Sequence, residues 1–482
     1  MVFSSVSFLF AFLPIVLLIY FAAPKKLKNL VILCASLIFY AWGEPIFVIV
    51  LIFSILFNYF FARLIDHFDN KKIRLIFFSF TIIVNISLIF LFKYISFFTT
   101  GINNIFKTNL SDHQLPIIMG ISFFTLTSLS YIIDIYRHKV KPQKNIIDFA
   151  MYISLFSQII AGPIVRYSDM QNQIKNRKTN YSHIADGISL FIRGLAKKLI
   201  LADGIGTIWT SVKAMDFNQL PSITAWIGIV SFALQIYYDF SGYCDMALGI
   251  SKMLGFSFNK NFDHPYMSKS ITEFFCRWNI TLNNWFKDYV YLPLTSITRS
   301  HKTHSGNPHT TKKSVLINSA NLLIVWLLIG LWHGGSLNFI LWGLYVGILI
   351  VCEKFVWGNL VKKLPAFFQW FYTFILTIFG FVIFAIPFGE GVSSFFKALF
   401  VLNNQPIVNN ETFFILLSKV VILIICILGV STGLRSITAW LKSKTPRLYS
   451  VSKLLFEVAV FLICICYIVT SQYNPFIYFF KL

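Results

Sequence analysis

One side chain that trades protons near pH 7, His333, stands inside the apolar run "LLIGLWHGGSLNFILWGLYVG" (327–347). Trp332 and Trp342 flank it, and Gly334 and Gly335 follow it directly. A neutral imidazole can take a proton from a hydroxyl, and a glycine pair admits a close approach. In a soluble core a lone histidine reads as structural. Inside a membrane its sequence neighbours offer no obvious compensation, which makes it a candidate general base.

Two more clusters place polar groups in apolar surroundings. "LQIYYDFSGYCDMALG" (234–249) carries Tyr238, Asp239 and Asp245. Tyr238 and Asp239 are candidates for substrate contact, against the alternative of an interhelical hydrogen-bond network. "NFDHPYMSKSITEFFCRWNITLNNWFKDYVYLPL" (261–294) crowds Arg277, Trp278, Asn279, Lys287 and Asp288. Arg277 and Lys287 could hold a phosphate or pyrophosphate, or serve only as anchors at the membrane surface. His301, His304 and His309 lie in a hydrophilic loop with lysines around them. Their spacing fits no zinc arrangement, so no metal site is expected.

These groups must be positioned by helices in lipid. The chain has 482 residues, 57% of them hydrophobic and 12% charged. A soluble chain would be about a quarter charged. The fold class is therefore an all-α polytopic membrane protein. The formal charge of +22 gathers in short loops, as in cytoplasmic loops, with no basic domain or motif for nucleic acid. The seven cysteines lie in or beside apolar runs without metal or redox spacing and read as buried small hydrophobes.

Windows of about twenty apolar residues predict eleven to thirteen spans. They fall near 6–23, 30–42, 45–62, 75–96, 117–136, 184–202, 223–250, 315–332, 337–356, 366–387, 412–430 and 453–471. The second and third form a hairpin turning at Gly43-Glu44-Pro45. No cation precedes the first apolar run, and Lys25, Lys26 and Lys28 follow it, which predicts a retained span with its N-terminus outside. Threading onward places 137–144, 175–178, 298–313, 353–363 and 435–447, all basic, inside, and 97–116 and 388–411 outside. The runs 149–165 and 280–294 are too short to cross and read as re-entrant or interfacial. One integral membrane domain over 1–482 is expected, with N-terminal helices to 110, a core at 111–360 and C-terminal helices from 361.

Several stretches resemble the membrane-bound O-acyltransferase (MBOAT) family, in the branch of alginate O-acetyltransferase membrane subunits. They include "GISFFTLTSLSYIIDIYR" (120–137), "FSQIIAGPIVRYSDM" (156–170) with Gln158, and "YYDFSGYCDMALGISKMLGF" (237–256). "SITEFFCRWNITLNNWFKDYVYLPL" (270–294), "GLWHGGSLNFILWGLYVG" (330–347) and the closing "YNPFIYF" (473–479) continue in family order. The resemblance implies spans and short re-entrant helices around a central tunnel. It makes His333 the signature histidine and Asn279 its partner, where the alginate branch usually has histidine in "RWHISL". It adds Gln158 and Trp332 to the substrate-contact candidates.

An acyl transfer from a thioester to a hydroxyl then needs a base and an oxyanion donor. His333 suits the first role and the Asn279 amide the second. The implied reaction is export of acetyl groups from a cytoplasmic donor, acetyl-CoA, with no bound cofactor. The acceptor would be a cell-envelope polysaccharide at the bacterial inner membrane, served by an extracytoplasmic partner of SGNH-esterase type. The rival readings are a non-catalytic transporter or channel, or acylation of teichoic acid, a lipid or a protein.

Overall fold

The computed structural model describes residues 1–109, 115–116, 118–300 and 312–470. His301, His304, His309 and the closing 473–479 stretch lie outside them. The described residues form helices and no strand. Eight helices are long and apolar enough to cross a membrane, and Phe8–Ala22, Lys28–Gly43 and Ile121–Tyr136 are shorter apolar helices. The expected span at 184–202 is helical, as Tyr181–Ala196 continued by a π turn, Lys197–Ala202. It is not among the eight, because Asp186, Arg193, Lys197 and Lys198 interrupt its apolar character.

The described chain groups into two compact units. The first comprises Met1–Phe191 with Tyr243–Lys260, the second Ile192–Gly242 with the chain from Asn261 onward.

In the first unit, α1 (Leu13–Ala22), α2 (Lys28–Gly43) and α3 (Val48–His67) follow in sequence, with the α2–α3 turn at Glu44 and Pro45. Asn70 starts α4 (Lys71–Ile89) by accepting a hydrogen bond from the Lys72 amide at 2.9 Å. Two buried amides lock α3 to α4: Asn85 donates to Asn58 at 2.9 Å and Asn58 returns a bond at 3.2 Å. Such pairs hold helices together where lipid supplies no hydrophobic drive. α5 (Ile121–Tyr136) is buried on most sides. The run expected to be re-entrant opens with a short helix, α6 (Ile146–Ser154), followed by irregular chain to Val165. That chain is buried in protein, and the Phe156 amide donates to the Ser36 hydroxyl at 3.0 Å. Non-helical backbone at depth needs this kind of satisfaction.

The second unit is organised around the long helix α7 (Ser222–Met253), which passes from it into the first unit after Gly242. Short helices α8 (Ile271–Arg277) and α9 (Ile280–Phe286) make up the second sub-spanning run, with a π turn at Lys287–Tyr291. Then come α10 (Lys312–His333), α11 (Leu337–Cys352), α12 (Ala366–Ala385), α13 (Val392–Leu399), α14 (Asn410–Val430) and α15 (Pro446–Thr470). Tyr266 knits three of these parts: its hydroxyl donates to Ala233 O at 2.5 Å, and its carbonyl accepts from Trp370 Nε1 at 2.8 Å.

The cysteines correct one expectation. Cys244, Cys426 and Cys464 are buried, but Cys34, Cys276 and Cys466 are exposed; a helix surface turned to lipid hosts a small thiol as readily as a core does.

Candidate active site

His333 is the last residue of α10, and the chain leaves helical geometry at Gly334 before α11 begins. Small residues allow that hairpin. A Cβ on Gly343 would lie inside contact with the Trp326 carbonyl and 3.0 Å from Gly330 Cα. The two helices therefore touch backbone to backbone one turn from His333. The space beside Gly334 is already taken: a Cβ there would sit 2.6 Å from the Phe339 ring. That glycine admits Phe339, whereas the sequence suggested open room.

The imidazole is half-buried in an aromatic frame. Trp332, Trp342 and Phe384 have ring centroids 5.0, 5.1 and 5.2 Å from it, the last two nearly perpendicular to it. Asn338 steadies the frame, since its Nδ2 donates to Phe384 O at 2.9 Å. Trp332 itself is buried.

Asn279 caps α9 in the left-handed region, at φ 45°, a conformation asparagine tolerates better than most residues. It is buried. Its Oδ1 accepts from Asn261 Nδ2 at 3.0 Å, and Asn261 Oδ1 in turn accepts from the Thr281 amide at 3.0 Å and hydroxyl at 2.9 Å. With its oxygen engaged, Asn279 offers its amide N–H groups as donors. Asn283 closes the turn, donating to Phe275 O and, at 2.8 Å, to Trp278 O. Asn261 and Asn283 had no signal in the sequence beyond polarity in a short loop run.

Trp278 is a core residue here, stacked on Phe274 at 5.6 Å and edge-on to Phe262 at 5.1 Å. Aromatic contacts run between these segments: Phe275 lies 6.0 Å from Trp342, which abuts His333, and Trp278 lies 5.8 Å from Phe381 on α12. Trp278, Phe275, Trp342 and Phe381 line an apolar cavity of about 20 Å³. Glu353, just past α11, reaches back to the start of α8. Its carboxylate accepts from Ile271 N at 2.6 Å, Thr272 N at 3.0 Å and the Thr272 hydroxyl at 2.8 Å. The helix after His333 thus holds the segment that leads to Asn279. Glu353 reads in sequence as one charge in a basic loop.

The other candidates lie elsewhere. Tyr238 donates its hydroxyl to Cys426 O on α14 at 2.6 Å. Asp239 pairs with Lys198 at 2.8 Å, and Lys198 also bonds Asp203 at 2.8 Å, all three side chains largely buried. Lys198 went unremarked in sequence because a lysine near a helix end looks like an anchor. Arg277 pairs with Glu273 at 2.6 Å, Lys287 is exposed and Asp288 is half-buried. Gln158 belongs to the first unit and donates to Ser251 at 3.2 Å; Asp245 belongs to that unit too.

This helical membrane protein carries a histidine at a broken hairpin and a buried amide whose oxygen is already engaged. Residues 78–390 match MBOAT, the membrane-bound O-acyltransferase family, and the chain belongs to that family. It is accordingly an acyltransferase, which decides against the channel reading. It is 36% identical over 392 residues to a probable alginate O-acetylase of Pseudomonas aeruginosa, covering 80% of this chain and 72% of that one. A peptidoglycan O-acetyltransferase of Helicobacter pylori is 34% identical over 415 residues, covering 78% and 75%. A teichoic acid D-alanyltransferase of Bacillus subtilis is 27% identical over 285 residues, covering 57% and 70%.

Proposed function

We propose that this chain moves acetyl groups from acetyl-CoA on the cytoplasmic side to a hydroxyl of a cell-envelope polysaccharide. It would work in the bacterial inner membrane with its N-terminus outside and an extracytoplasmic partner of SGNH-esterase type. The observation that carries the reading is His333 at the end of α10, half-exposed, in a frame built around its ring. The relatives named for alginate and peptidoglycan O-acetylation support acetyl as the group and a glycan as the acceptor.

In this mechanism the neutral imidazole of His333 takes the proton of the attacking hydroxyl. The hydroxyl oxygen bonds to the thioester carbonyl carbon, and the oxyanion accepts a hydrogen bond from Asn279. The C–S bond then breaks, and the departing thiolate takes the proton from the imidazolium. Loss of the base costs roughly 10²–10⁴-fold in rate and loss of one oxyanion donor about 10²–10³-fold. Arg277 and Lys287 are assigned to the donor phosphates, so Arg277→Ala should raise the KM for acetyl-CoA and spare kcat. The test is the ester content of each envelope polymer in a deletion strain. Wild-type chain should restore acetyl esters to a polysaccharide and His333→Ala should not. A deletion strain with unchanged esters on every polymer would refute the reading.

A further inference from the structure

A second cavity in this unit, of about 350 Å³, opens where segment 213–218 meets segment 386–394. Its wall is chemically mixed. Lys213, Asp216, Asn218, Glu390 and Ser394 contribute polar groups, and Phe217 contributes a ring. The wall is also built. Ser394 donates to Asn218 Oδ1 at 2.8 Å, and Asn218 donates from its backbone and side-chain nitrogens to Asp216 Oδ1 at 2.9 and 3.1 Å. Phe217 is buried edge-on to Phe395 at 5.1 Å. Gly391 has φ +101°, and a Cβ there would come 2.9 Å from the Phe217 ring, so this turn needs a glycine.

Its place in the fold is informative. Ile386, part of the wall, directly follows α12 and stands two residues after Phe384, whose ring is 5.2 Å from His333. Helices α10 and α12 both start beside lysines, Lys313 in one case and Lys362 and Lys363 in the other, and end at His333 and Ala385. The cavity is therefore at the helix ends away from the basic loops. By charge asymmetry that is the extracytoplasmic end, where an acceptor arrives.

We propose that this cavity is the acceptor subsite and that it takes an uncharged, hydroxyl-rich sugar segment and disfavours polyanionic chains. Carboxylates, an amide and a hydroxyl bond sugar hydroxyls in either direction, and buried Phe217 gives the wall an apolar part. The volume is within the range of small-molecule sites, roughly 300–1,000 Å³. One lysine against two carboxylates leaves the wall net negative, which repels polyuronate or polyphosphate. The assignment rests on the acyltransferase reading for its purpose, but its binding test does not.

The experiment uses the full-length protein in lipid nanodiscs with two probes, chitotetraose as the neutral glycan and a mannuronate tetramer as the anionic one. Chitotetraose binding by calorimetry should be tighter than mannuronate binding. Glu390→Gln and Asp216→Asn should each weaken chitotetraose binding about tenfold, the value of one good hydrogen bond to a charged acceptor. Glu390→Lys should bring the mannuronate tetramer to at least equal affinity. In the transfer assay the same variants should raise acceptor KM, with the KM for acetyl-CoA unchanged. Unaltered chitotetraose binding in both conservative variants, or tighter binding of mannuronate by the wild type, overturns the subsite. Full transfer by His333→Ala would instead overturn the catalytic reading and leave the binding result standing.

Discussion

Adding one methyl group at Gly343 should disable the enzyme without touching a catalytic residue. A Cβ at this position would stand 3.0 Å from Gly330 Cα and 3.2 Å from Gly330 N, and inside contact with the Trp326 carbonyl. All three obstacles are backbone, so no side chain can swing aside. Carbon contacts are comfortable at about 3.5–4.0 Å, so Gly343→Ala must push α11 from α10 by roughly 0.5–1 Å. His333 lies on α10 one turn beyond Gly330, and Trp342, which frames its ring, adjoins Gly343. Overpacking of this sort costs about 1–3 kcal/mol of stability, which a large membrane bundle should survive. A misplacement near 1 Å can cost about 10²-fold in rate. The assay is acetyl transfer from acetyl-CoA by purified protein, with kcat and both KM values, and with thermal unfolding of each variant. The expected result is a fall in kcat of about 10- to 100-fold with little change in donor KM. Gly101→Ala is the control, since nothing lies within 4 Å of its added Cβ. A Gly343→Ala enzyme with wild-type kcat would show that the spacing of the hairpin does not position His333.

Glu353→Ala removes the carboxylate that holds the first turn of α8, and should lower stability by about 1–3 kcal/mol and kcat about tenfold; Glu353→Gln, which keeps one acceptor oxygen, should recover part of both. Steady-state kinetics on the two variants checks this, and equal defects in both would point to charge alone. Single cysteines at Lys363 and Asn403, placed in a chain freed of its own cysteines, should be labelled by an impermeant maleimide from the cytoplasmic and the outer side respectively. Labelling of both from one side would break the topology.

The helical class and the broken hairpin were open to reading because lipid imposes a crude rule: long apolar runs with punctuation. His333 announces itself as the ring in its run that trades protons near pH 7, and the structure ends α10 at that residue. The α2–α3 turn and the short runs at 149–165 and 280–294 were legible for the same reason, since length against bilayer thickness decides them. Pairings between distant polar groups were not. Asp239 is conspicuous in its apolar run, but its partner Lys198 falls near the end of the expected 184–202 span, where a lysine reads as an ordinary anchor. Glu353 lies in a loop whose charges suggest only orientation, although its bonds reach back to residues 271 and 272. Asn261 illustrates the limit best: an amide among other polar residues gives no hint that it fixes which end of Asn279 is the donor. The division into two units also has no sequence mark, because the passage runs through the middle of α7.

The central claim is that His333 removes the proton of the attacking hydroxyl. Its most direct test is the rate of acetyl transfer from labelled acetyl-CoA by purified wild-type and His333→Ala protein in nanodiscs, with thermal unfolding measured on the same samples. Matched unfolding temperatures and a rate lowered by roughly 10²–10⁴-fold in His333→Ala are expected. A His333→Ala protein that is equally stable and transfers acetyl at the wild-type rate would contradict the account.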